Sequence, residues 1–237
     1  MKRYLIVISL VIISLSGIFI LTGSLIGALN NPGLKSMTCL EKFTEEELDF
    51  FSEVGFLNNN RLRKWEGDIN VYTTGNPMEG DLLLIDSIIE ELKPLILPVK
   101  IKRSNDAGNL SVNFVTDPND QQAYGFAHFP GTAIFSSSIT KVEISIFPKS
   151  KGQARQVCIR HEFLHALGLD HPIRRNTGTI IESLVEYTGE GDDVKFYRYS
   201  ALDKSMVKMI YSECIPLGLK MNTFLKAYKK QENHTNQ

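Results

Sequence analysis

The chain has 237 residues, 43% of them hydrophobic, with 26 basic side chains against 27 acidic ones. So even a balance gives no electrostatic pull towards nucleic acid or an acidic polymer. The composition is that of an ordinary globular protein without low-complexity tracts or repeats, which excludes disordered, collagenous and solenoid classes.

The N-terminus stands apart. Met1, Lys2 and Arg3 precede an uncharged apolar run from Tyr4 to Leu29. A membrane span needs roughly 20 such residues, whereas the core of a signal peptide has about 7–15. No small-x-small cleavage pattern follows, because bulky Ile26 stands two residues before Ala28. Residues 1–30 therefore read as a signal anchor, with a cleaved signal peptide as the alternative. Lys2 and Arg3 favour the cytoplasmic side, which places residues 31–237, read as one domain, outside it. Cys39, Cys158 and Cys214 suit such a compartment, with one disulfide at most; the spacing does not say which two would pair.

A turn-rich linker at 31–36 leads to FTEEELDFFSEVGF (43–56). This reads as a helix with Thr44 and Glu47 at capping-box spacing and Leu48 and Phe51 on its apolar face. DINVYTT (68–74) alternates as a strand does, and residues 80–96 carry Leu84, Ile88 and Leu92 at helical spacing before Pro94 ends the pattern. Further strands are expected at 98–103, 110–116, 131–137 and 141–147. A helix from Gly152 must stop at Gly168, and residues 172–199 read as irregular. SALDKSMVKMIYSE (200–213) is a helix capped by Ser200 with Leu202, Met206, Met209 and Ile210 inward, and the polar tail KKQENHTNQ is expected to fray. This order argues for an α+β domain, one mixed twisted sheet backed by helices.

Three of the five histidines fall within HEFLHALGLDH, residues 161–171. Four helical residues turn through about 400°, so His161 and His165 point the same way about one turn apart. Two imidazoles so placed can share one zinc ion. Gly168 tolerates the left-handed conformation that ends a helix, after which His171 can swing back as a third ligand. Three protein ligands leave a position for water, the mark of a catalytic site. Glu162, rotated by about 100° from His161, flanks the metal as general base. A core helix with satisfied histidines is the bland alternative; it does not account for three histidines, a glutamate and a glycine at these offsets.

HEFLHALGLDH fills all five specified positions of H-E-x-x-H-x-x-G-x-x-H and so resembles the metzincin clan of zinc peptidases. The resemblance implies an α+β metzincin-like fold with a backing helix, an active-site helix and a C-terminal helix. It also implies a single zinc on His161, His165 and His171, Glu162 as base, and a peptide or protein substrate held by strand addition along an edge strand, for which GTAIFSS (131–137) is the candidate. The clan's methionine turn has its best counterpart in SLVEY (183–187), with Val185 in the methionine place. Tyr187 there has two readings, an oxyanion donor or a packed loop residue. The stretch ALDKSMVKMIYSECIPLGL also resembles a family of uncharacterised bacterial metzincin-like proteins. A zinc-binding interaction module without turnover is the alternative function, and an anchored structural protein without metal the third; the oligomeric state is not legible.

Other residues carry less. Cys158 shares the ligand face, although a disulfide or buried thiol explains it better. Cys39 precedes the domain as a cysteine-switch thiol would, but MTCLEK lacks the residues such a switch uses. His128 reads as a structural or solvated loop histidine, and GEGDD (189–193) as a solvated turn, its spacing not being that of a calcium loop.

Overall fold

The computed structural model describes residues 38–56, 60–116, 124–130, 136–174, 177–182 and 198–235, with Thr38 and residues 230–235 in backbone alone. All belong to one unit, Met37–Gln237. The apolar run 4–29, SLVEY with Val185 and Tyr187, and GEGDD lie outside the described residues.

Among the described residues the larger of two sheets has five strands. In chain order its strands are β2 (Ile69–Gly75), β3 (Ile101–Arg103), β4 (Leu110–Phe114), β5 (Gly125–His128) and β7 (Val142–Ile146), arranged in space as β3-β2-β4-β7-β5. The first four in that row are parallel, and β5 closes the row antiparallel to β7, with Ala127 opposite Ile144. Two-residue alternation puts Val142, Ile144 and Ile146 into the core beside Leu110, Val112 and Phe114. A second, two-stranded parallel pair joins β1 (Lys64–Trp65) to β6 (Ser138–Ile139). The mixed sheet with its helices is the expected α+β architecture.

Helix α1 (Glu45–Val54) starts with the expected capping box between Thr44 and Glu47 and buries Leu48, Phe50, Phe51 and Val54. Helix α2 (Glu79–Leu92) carries the crossover from β2 to β3 and backs the sheet. Helix α3 (Gly152–Ala166) is buried on every side from Val157 to Leu164, so it shows no polar stripe and runs through the middle of the domain. Two ion pairs tie it to α2. Arg155 forks onto Asp81 with both nitrogen–oxygen distances at 2.8 Å, and Arg160 reaches Glu91 at 2.9 Å. Removing one partner of the buried Arg155–Asp81 pair would leave an uncompensated charge, at about 3–5 kcal/mol. Helix α4 (Ala201–Ile210) is capped by Ser200 and buries Met206 and Met209 as expected, and α5 (Met221–Thr235) follows.

Three expectations change. The polar tail is helical in backbone to Thr235, because α5 begins upstream at Met221 and buries Phe224 and Tyr228. The edge strand beside α3 is β5, too short and glycine-bearing to show in the sequence pattern, and His128 sits on it and not in a loop. Of GTAIFSS, residues 131–135 lie outside the described residues and Ser136 and Ser137 precede β6 without being strand. The cysteines keep to expectation, with one disulfide, Cys39–Cys214, and one spare thiol, the buried Cys158.

Candidate metal centre

His161 and His165 stand one turn apart near the end of α3, with their Nε2 atoms 2.8 Å apart. The helix ends through backbone that only glycine tolerates well: Gly168 has φ +103°, and a Cβ there would sit 2.3 Å from the Arg63 carbonyl oxygen. Long-range donors satisfy the last carbonyls of the helix. Trp65 Nε1 donates to Ala166 at 2.8 Å and the Tyr211 hydroxyl to Leu167 at 3.2 Å. The chain then doubles back and brings His171 Nε2 to 3.1 Å from His161 and 3.3 Å from His165.

The far side of two rings fixes their protonation. His161 Nδ1 lies 2.8 Å from the Ile180 carbonyl and His165 Nδ1 2.8 Å from the Leu169 carbonyl. A carbonyl only accepts, so each Nδ1 carries the hydrogen and, in a neutral ring, each Nε2 presents a lone pair. Burial, followed by the neighbouring imidazoles, keeps the rings neutral, holding His165 down to about 4 and His161 well below the usual histidine range. The Nε2 lone pairs of His161 and His165, 2.8 Å apart, have no hydrogen to share between them and suit a cation. The edges of a tetrahedral zinc site with bonds of about 2.0–2.1 Å are about 3.3–3.4 Å long; the three nitrogens stand 3.3, 3.1 and 2.8 Å apart, from that spacing to about half an ångström closer. Among the described residues this is the cluster able to hold a metal ion.

Glu162 is buried beside His161, and burial pushes its carboxyl up to about 8 against the opposing pull of a hydrogen bond from the Ala127 N–H on β5. A divalent ion alongside would draw that value back down. β5 passes close overhead, since a Cβ on Gly125 would stand 2.4 Å from Cys158 Sγ and 3.1 Å from Glu162 Oε1. Cys158 therefore faces Gly125. Phe126 and His128 stack on the exposed side of the same strand, 6.2 Å between centroids.

The sequence pattern missed the apolar turn at Ile180–Ile181. Its carbonyl orients His161, and Asp203 on α4 holds the turn by accepting the Ile180 N–H at 2.9 Å and the Ile181 N–H at 3.3 Å. The Ser-x-x-Asp spacing at 200–203 signals a helix cap, which Asp203 also serves, but nothing local announces its second task.

No family model matches the chain, and no curated protein does. Among solved structures, that of myroilysin aligns at 18% identity with a TM-score of 0.30. The alignment covers 46% of this chain and 46% of that one, so the chain spans less than half its length. A likeness of that size carries neither fold nor function, and the site is read from its own residues.

Proposed function

We propose that the chain is a zinc-dependent endopeptidase of metzincin type acting outside the cytoplasm. The observation behind it is the convergence of three Nε2 atoms, two with their Nδ1–H committed to backbone carbonyls, beside a buried carboxyl. His161, His165 and His171 would hold the ion. Zinc bound there supplies Lewis acidity, polarising a carbonyl and lowering the pKa of a water in its open position towards about 7.

Glu162 then takes a proton from the attacking water and returns it to the leaving amine. Its place beside β5, with the Ala127 N–H on its carboxylate, supports that role. The peptide substrate would add as a strand along the outer edge of β5, and Tyr187, outside the described residues, is the proposed oxyanion donor. The Cys39–Cys214 bridge favours an oxidising compartment. Membrane attachment through residues 1–30 is part of the same proposal; among the described residues no helix is long and apolar enough to cross a membrane.

A second reading, a zinc-holding interaction module without turnover, is motivated by SLVEY, outside the described residues, which puts Val185 where the clan's turn has methionine. One experiment separates the two. Purified protein and its Glu162→Gln variant are loaded with zinc and incubated with a diverse peptide mixture, and new termini are read by mass spectrometry. A peptidase gives cuts that fall by about 10²–10⁴-fold in the variant at unchanged zinc content. Equal cutting by both would sink the mechanism, and no cutting by either favours the module.

A further inference from the structure

His171 has no helix to hold it. Its side chain is about half exposed (49%), and it follows Gly168 in a stretch without regular structure. A ligand so placed must be fixed from elsewhere if it is to meet the ion without a large ordering cost.

The N-terminal helix supplies that fixation. At the C-terminal end of α1 the Val54 carbonyl accepts the Asp170 N–H at 2.7 Å. One residue earlier the Glu53 carboxylate accepts the N–H of Ile173 at 2.9 Å and that of Arg174 at 3.0 Å, and its other oxygen takes Arg174 Nε at 2.6 Å. These contacts grip the backbone on both sides of His171. The Arg174 guanidinium also lies over the Phe50 ring, 5.6 Å from its centroid. α1 is itself anchored: Phe50, Phe51 and Val54 are fully buried, Phe51 packs edge-on against Phe224 of α5, and Cys39 ahead of the helix is bridged to Cys214.

We propose that Glu53 is a positioning residue for His171, so that the N-terminal helix completes the metal site as a permanent part of it, and is not a detachable pro-segment. This rests on the reading of the three histidines as metal ligands. Glu53 touches neither ion nor substrate; it acts through the backbone of 173–174.

The test measures zinc affinity of the full-length protein by competition with a chromophoric chelator, alongside the visible spectrum of the cobalt-substituted form. Glu53→Ala should weaken zinc binding about 10–100-fold, the range found when outer-shell partners are lost. Its cobalt bands should shift as coordination loosens. Glu53→Gln, of the same size and keeping one carbonyl acceptor, should lose less, and it stands in if the alanine variant does not fold. With His171→Ala in the background, Glu53→Ala should cost less than about 2-fold more, because residues acting as one unit are not additive. Unchanged affinity in both Glu53 variants overturns the proposal, as does an equal loss with and without His171. If the unsubstituted protein takes no zinc, the reading of the site falls and this proposal with it. If it takes zinc through the histidines while Glu53 is indifferent, this proposal alone falls.

Discussion

The histidine cluster is built in two different ways. His161 and His165 are placed by the helix that carries them: the four-residue spacing alone sets their rings side by side, and the Leu169 carbonyl that fixes His165 is four residues on. His171 is placed by contacts from far along the chain. Val54, Glu53 and, through the glycine turn, Arg63 and Trp65 all bear on the segment that delivers it. A side chain set by local geometry survives most changes elsewhere, whereas one set by tertiary contacts is only as firm as those contacts. The two kinds should therefore fail differently.

The largest failure is expected at the junction between them. In Gly168→Ala the new Cβ would stand 2.3 Å from the Arg63 carbonyl at φ +103°, so backbone must shift. Positive-φ strain and overpacking together imply about 2–5 kcal/mol of lost stability. Chemical denaturation would measure it, and the cobalt spectrum should show two histidine ligands retained and the third lost. A spectrum that loses all three together would mean that the local and the tertiary ligands are not separable in this way.

The same division explains what could be read from the sequence. Helix α3, its end at Gly168 and the clustering of the three histidines follow from intervals of three, four and six residues, which local periodicity encodes. The capping boxes at Thr44 and Ser200 are local too, and both form. β5 was not legible, because four residues containing a glycine carry too little alternation to register as a strand and its position depends on β7. Nor was the Ile180–Ile181 turn, whose role exists only where the Ile180 carbonyl meets His161. The cysteine pairing lay beyond reach for the same reason, since Cys39 and Cys214 are 175 residues apart.

Asp203 tests whether His161 and His165 are independent of distant contacts. Asp203→Ala leaves the buried N–H groups of Ile180 and Ile181 without their carboxylate, at about 2–4 kcal/mol in urea unfolding. Zinc affinity should fall about 10-fold as the turn that orients His161 loosens. An unchanged affinity would show that helix geometry by itself suffices for His161. A smaller effect belongs to Trp65→Phe, which removes the donor to Ala166 but keeps an aromatic ring in the core. The expected loss is about 1–2 kcal/mol in urea unfolding, and a fall in zinc affinity that vanishes in a His171→Ala background would show that the indole acts through the third histidine.

The smallest effect is a pH dependence at Glu53. Burial raises its pKa, but the N–H groups of Arg174 and Ile173 and the guanidinium outweigh burial and hold the carboxyl below its usual value. An acid whose folded pKa is depressed contributes stability that is fully present above its unfolded value near 4.5 and is lost as pH falls through the folded value. Urea unfolding of chelator-treated protein at pH 5.5 and pH 3.5 measures this, with Glu53→Gln as reference. Other carboxylates titrate in both proteins and cancel in the difference. The parent should lose more stability than the variant between the two pH values, by less than about 1 kcal/mol because the pair is partly solvated. Identical losses would mean that the carboxylate charge does not help to hold the loop and that its hydrogen bonds to 173 and 174 act as neutral ones. In that case the grip on His171 would rest on the backbone bond from Asp170 to Val54, and Glu53→Gln should leave zinc affinity almost untouched.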